Sequence, residues 1–82
     1  MRTIELKSFA GKEFEALWLD AKKSDARLND KKYRMGDILV FKEGFPSLEG
    51  YCYTGRSVTR RVTHVSSFGM QQNFVNLSME KV

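Results

Sequence analysis

The residues best equipped for chemistry in this chain crowd into one short stretch, Lys22-Lys23-Ser24-Asp25-Ala26-Arg27-Leu28-Asn29. Arginine holds a phosphate or carboxylate as a planar fork, and lysine does so as a mobile point charge. If the stretch is extended, its alternation puts Asp25, Arg27 and Asn29 on one face and Ala26 and Leu28 on the other. Such a polar face can neutralise a phosphate through Lys22, Lys23 and Arg27 while Asp25 and Asn29 hydrogen-bond a base or sugar. The structural alternative is that Arg27 is a brace, paired with Asp25, Asp30 or Asp37. A second group is Tyr53-Thr54-Gly55-Arg56, where Tyr51 and Tyr53 offer rings beside a cation, a combination found in readers of single-stranded RNA. Cys52 and His64 are the sole residues of their kinds. Their spacing fits no zinc pattern, and the scattered glycines form no phosphate-cradling loop, so no metal or cofactor is expected.

The elements that must position these groups can be read from periodicity. Arg2 to Lys7 alternates as a half-buried strand. Lys12 to Lys22 carries Phe14, Leu17, Trp18 and Ala21 on one stripe, which predicts a helix with Phe14 and Trp18 in the core. Glu13 and Glu15 near its start and Lys22 and Lys23 near its end suit the helix dipole. Asp25 to Leu28 reads as a short strand, Asn29 to Lys32 as a turn with solvated lysines, and Gly36-Asp37 as a second turn. Asp37 to Lys42 is apolar on both faces and predicts a central strand. Glu43 to Gly50 (EGFPSLEG) reads as a surface loop. Tyr51 to Tyr53, a turn at Thr54-Gly55, and a strand over Ser57 to Val65 follow. Arg60-Arg61 places one arginine on each face and implies a bulge or bend. Ser66 to Gln72 is a loop, and Phe74 to Met79 the last strand. One helix cannot cover a flat sheet on both faces, so the expected fold is α+β, mainly β. It is a small barrel of five or six strands with one main helix after the first strand.

Bulk properties bound the function. Eighty-two residues make one domain, spanning 1–82. The stretch from Lys22 to Arg34 holds six basic residues and two acidic ones, an excess equal to the whole net charge of +4. No acidic residue occurs from Gly50 to Met79, although Arg56, Arg60 and Arg61 lie there. This distribution favours a polyanion as partner. The lone cysteine points to a reducing compartment, and no apolar run is long enough for a membrane span or a signal peptide core. A cytoplasmic protein without membrane partners is the expectation.

The order of a short LK strand, the helix FEALW, ARLND, YRMGDILVFKE, YTGR and VTRRVTHV resembles ASCH-type domains of the PUA-like superfamily. It looks closest to a short bacterial and phage subfamily of unknown function, over Glu5 to Leu77. The subfamily motif resembles Gly-Lys-Lys-Thr-x-Glu-x-Arg-x-Asn-Asp, and Lys22, Arg27, Asn29 and Asp30 match it. Asp25 is a shortened form of the acid, Asp20 replaces the glycine and Lys23 the threonine. The resemblance implies a small β-barrel with a groove after the first helix that binds RNA. Some ASCH-type proteins are amidohydrolases whose Lys-Thr-Glu set uses the threonine as nucleophile, and Lys23 cannot take that part.

Three functions are therefore in play. The leading one is an RNA- or nucleotide-binding module that uses Lys22, Lys23, Asp25, Arg27, Asn29, Tyr53 and Arg56. The second is a small hydrolase or nuclease acting on a nucleoside or RNA, with Lys22 as base and Asp25 or His64 assisting. The third is a phage or accessory module that binds a protein partner through its basic face.

Overall fold

The computed structural model describes residues 2–82. Its elements are β1 (Thr3–Phe9), α1 (Lys12–Trp18), β2 (Ser24–Leu28), β3 (Ile38–Ser47), β4 (Gly50–Ser66) and β5 (Phe74–Lys81). The strands form one five-stranded mixed sheet in the order β1-β3-β4-β5-β2. Only β1 and β3 run parallel; the other neighbours are antiparallel. The chain thus leaves one edge of the sheet, passes through α1, and returns as the opposite edge. Leu6, Leu39, Phe41, Val58, Val62, Val75, Leu77 and Met79 are the apolar side of this sheet, and Phe14, Leu17 and Tyr33 complete the core.

The sheet does not close into the expected barrel. No backbone ladder joins β1 to β2, and the space between those edges is bridged by side chains of β1, α1 and β2. The reason lies in β2. Its inward face carries Asp25 and Arg27 in place of apolar residues, while Ala26 and Leu28 are exposed. Charged groups that need solvent or partners keep this margin of the sheet open.

The helix is shorter than its sequence pattern and ends at Trp18. Asp20 adopts a left-handed conformation (φ 58°). Its amide donates to the Leu17 carbonyl at 3.0 Å and the Ala21 amide donates to the Ala16 carbonyl at 2.8 Å. These are the paired bonds of a Schellman stop, formed here with aspartate where glycine is usual. Arg60, on the inner face of β4, donates to the same Leu17 carbonyl at 2.7 Å and adds a second donor at the helix end. Consequently Phe14 and Leu17 are buried, but Trp18 is half exposed and Ala21 lies outside the core, contrary to the expected stripe. The early stop also frees Lys22 from the helix.

The stretch read as a loop, Glu43 to Gly50, is instead the end of β3, a two-residue turn at Leu48-Glu49 and the start of β4. Thr54-Gly55 is no turn either; β4 runs through it. Lys42 pairs with Ser57 and Gly44 with Tyr53, so Thr54, Gly55 and Arg56 bulge opposite the single residue Glu43. A second irregularity at Val62/His64 lies close to the Arg60-Arg61 pair, which faces both sides of the strand, although Arg60 is buried where exposure on both sides was expected. On the far side of the core, Asp37 accepts from Arg2 Nη2 at 2.6 Å and from the Arg34 amide at 2.9 Å. Arg2 also donates to the carbonyls of Lys31 and Lys32, which ties the basic turn to the start of β1. The Arg2 hydrogen bond, opposed by burial and aided by the Arg34 amide, holds the Asp37 carboxyl below the usual aspartate range.

Gly44 is buried where the Tyr51 ring lies across β3. A Cβ at this position would meet that ring and stand 2.6 Å from the Cys52 carbonyl oxygen. Gly44→Ala is expected to destabilise the fold by about 1–3 kcal/mol, the usual cost of overpacking, read as a lower urea midpoint.

Candidate functional site

A cleft of about 330 Å³ opens where the sheet fails to close. Its walls are Lys7 and Phe9 of β1, Glu13 and Leu17 of α1, and Lys22, Asp25 and Arg27 at the start of β2; Phe41 is also part of its lining. The size is at the low end of the roughly 300–1,000 Å³ typical of small-molecule sites.

The cleft's charged groups form a chain. Lys22 Nζ lies 2.6 Å from Glu13 Oε2 and 3.0 Å from Asp25 Oδ1. The other oxygen of Asp25 accepts from Arg27 Nε at 2.6 Å. Arg27 Nη1 donates to the Tyr33 hydroxyl at 3.4 Å, and the guanidinium carbon stands 5.7 Å from the centre of the Phe41 ring. Burial acts most strongly on the Lys22 ammonium and lowers its pKa, but hydrogen bonds to Glu13 and Asp25 together outweigh it and the net shift is upward. Arg27 behaves alike: desolvation is the largest influence, and the Tyr33 and Asp25 contacts reverse it. Lys22 is therefore held protonated at neutral pH, which suits a phosphate or a developing anion and not the role of general base.

The partners are not equally committed. Asp25 is nearly enclosed, with 11% side-chain exposure, and both of its oxygens are engaged by Lys22 and Arg27. Glu13 is 75% exposed, so its bond to Lys22 competes with water and contributes little. Arg27 has five N–H donors, of which its Nε and one on Nη1 are used among the described residues. Nη2 has no hydrogen-bond partner among the described residues. Counting Lys7, Lys22 and Arg27 against Glu13 and Asp25, the lining is positive.

Of the residues singled out from sequence, Lys22, Asp25 and Arg27 meet here; the others do not. Lys23 turns away to Asp20, at 2.6 Å. Asn29 Oδ1 accepts from the Tyr33 amide at 3.0 Å and shapes the basic turn. Tyr53 stands on the outer face of the β3–β4 hairpin. His64 is exposed and pairs through Ser78 with Ser24, on the face of the sheet opposite Asp25. The pairing of His64 with Lys22 in a hydrolase thus finds no support in the geometry. Lys7, Phe9, Glu13 and Phe41 were not singled out. The first strand was expected to end at Lys7, but it runs on to Phe9 and carries that ring to the cleft.

A family model described as "Domain of unknown function (DUF3850)" matches residues 3–79. The chain belongs to that family. Comparison with curated proteins gives no match. No helix of this DUF3850 domain is long and apolar enough to cross a membrane, and among its described residues no cluster of three or more His, Cys, Asp and Glu side chains could hold a metal.

Arg56 of the DUF3850 domain has a structural task, contrary to the phosphate-binding expectation. Its Nε and Nη2 donate to the two oxygens of Glu43 at 2.8 and 2.6 Å, and Nη2 also reaches Glu15 at 2.6 Å. Thr54 Oγ1 donates to the same Glu43 at 2.6 Å. The guanidinium lies over the Phe14 and Trp18 rings, 5.2 and 5.0 Å from their centres. The Arg56 hydrogen bond, then that from Thr54, holds Glu43 below the usual glutamate range against a smaller effect of burial. An unfolded glutamate titrates near 4.3, so around and below that pH the unfolded chain binds more protons at this site. The stability Glu43 supplies is full above pH ~4.3 and is lost as pH falls through the lower folded value. Glu43→Gln should lower the urea midpoint at pH 7 and flatten its decline between about pH 5 and pH 3, relative to wild type.

Proposed function

We propose that this domain binds nucleotide units of RNA in the cleft between β1, α1 and β2. The observation that carries the reading is the state of Arg27, a cation on the cleft wall with unused donors, stacked near Phe41 and fixed by an enclosed carboxylate. A fixed guanidinium with a free edge is preorganised for a phosphate or for the acceptor edge of a base. Lys22 would take the phosphate in place of Glu13, whose solvent-exposed bond is cheap to exchange. Phe9 gives exposed apolar surface for a base, and the buried Leu17 and Phe41 form the packed floor beneath the cleft. The net charge of +4, an excess carried by Lys22 to Arg34 beside the cleft, would draw a polyanion to this surface.

The resemblance to ASCH-type, PUA-like domains supports the same reading as a fold-level analogy. In those terms the curled, incompletely closed sheet is a small relative of their barrel, and the cleft corresponds to the groove after the first helix.

The test is a titration of short single-stranded RNA at two salt concentrations, with Arg27→Ala and Lys22→Gln beside wild type. Wild-type affinity should fall as salt rises, and each variant should weaken binding about ten-fold or more while keeping a cooperative thermal transition. Affinity that ignores both salt and the two substitutions would contradict the proposal.

A further inference from the structure

Three aromatic rings lie around the corner from the cleft on the outer face of the sheet. Phe9 and Tyr51 are 6.0 Å apart between ring centres, and Tyr51 and Tyr53 are 5.2 Å apart. Gly44 leaves the strip of β3 between them bare, and the Tyr51 ring lies across it with its hydroxyl donating to the Ser8 carbonyl at 3.4 Å. No helix or loop covers this row, for Phe9 is 64% and Tyr53 50% exposed. Two cations stand beside it: Lys7 Nζ is 4.9 Å from the Tyr51 ring centre and Lys42 Nζ is 4.9 Å from that of Tyr53. Glu5 touches Lys42 only loosely at 3.4 Å. Lys7 and Phe9 belong to both places, since they also line the cleft.

We propose that Phe9, Tyr51 and Tyr53, with Lys7 and Lys42, form a stacking subsite along which a single-stranded polynucleotide continues out of the cleft. The identity of the ligand rests on the reading of the cleft given above. The rings are tilted against one another at 57° and 69°, so the exposed Phe9 and Tyr53 rings offer separate faces to bases on either side of Tyr51, and ammonium groups on flexible stems can move from ring to phosphate. The site therefore takes a strand of several nucleotides, not a single nucleotide. Exposed aromatics flanked by lysines also complement this ligand better than they complement an acidic peptide, which would leave the rings unused. RNA and single-stranded DNA share the chemistry of stacking and phosphate.

The experiment compares labelled oligouridylates of three and nine nucleotides, and the deoxy nonamer, on the full chain. Tyr53→Ala should weaken the ribo nonamer about ten-fold and leave the trimer within about two-fold, Phe9→Ala should weaken both lengths because Phe9 also lines the cleft, and Tyr53→Phe should stay near wild type. Lys42→Gln should reduce the salt slope for the nonamer by about one. Comparison of the ribo and deoxy nonamers identifies which sugar the surface accepts, and binding of either one with this pattern supports the subsite. If Arg27→Ala weakens both lengths but Tyr53→Ala weakens neither, the stacking subsite is overturned and the cleft stands. Loss of the nonamer in Tyr53→Ala, with Arg27→Ala silent, supports the subsite and removes the cleft. Failure of all the oligonucleotides to bind, or a preference for duplex over single strand, overturns the subsite.

Discussion

Glu43 is a buried carboxylate on the inner face of β3, and most of the molecule's working geometry follows from how it is satisfied. Arg56 and Thr54 can both reach it only because β4 inserts three residues opposite one. That bulge offsets the β3–β4 hairpin. The same guanidinium then extends to Glu15 and lies over Phe14 and Trp18, so the clamp also docks α1 on the sheet. One buried charge thus fixes a wall of the cleft and the base of the hairpin that carries Tyr51 and Tyr53. Removing a partner would leave an uncompensated charge in the interior, which is far more costly than losing an exposed ion pair.

The opposite margin of the sheet is governed by a different constraint. β2 contributes only the charged Asp25 and Arg27 to the inward face, where β3, β4 and β5 contribute mostly apolar bulk, and it lies at the edge where backbone pairing ends. Asp25 is held between Lys22 and Arg27, so its charge is accounted for internally. The two cations are not, since each has donors or a weakly held partner facing solvent. A pure structural brace would consume both sides of the pair. The asymmetry is what separates this cluster from Arg2–Asp37, where the guanidinium is spent on two carbonyls and a carboxylate.

Much of the fold was legible because it rests on local periodicity. The alternation of Asp25 and Arg27, the apolar run Ile38 to Phe41 and the last strand all read directly from the chain. The errors came from longer-range interactions. The helix stops at Trp18 because Asp20 accepts a left-handed conformation and Arg60, forty residues on, meets the last turn. EGFPSLEG has the composition of a loop, yet its Gly and Pro sit in a hairpin whose glycine makes room for the Tyr51 ring. Arg56 looked available because sequence does not reveal that a glutamate thirteen residues earlier lies buried beside it. The three residues that do meet in the cleft were found because they are neighbours on one short strand and the turn before it. Phe41 and Glu13 were missed because only the curl of the sheet brings them there.

The central claim is that the cleft between β1, α1 and β2 is a ligand site. The most direct measurement is a two-dimensional amide NMR titration of the protein with a uridine trinucleotide. The largest, saturable shifts are expected on Lys22 to Leu28 and on Lys7 to Phe9, with smaller ones at Phe41. Shifts confined to the basic turn Lys31 to Arg34, or no shifts at millimolar trinucleotide, would contradict it.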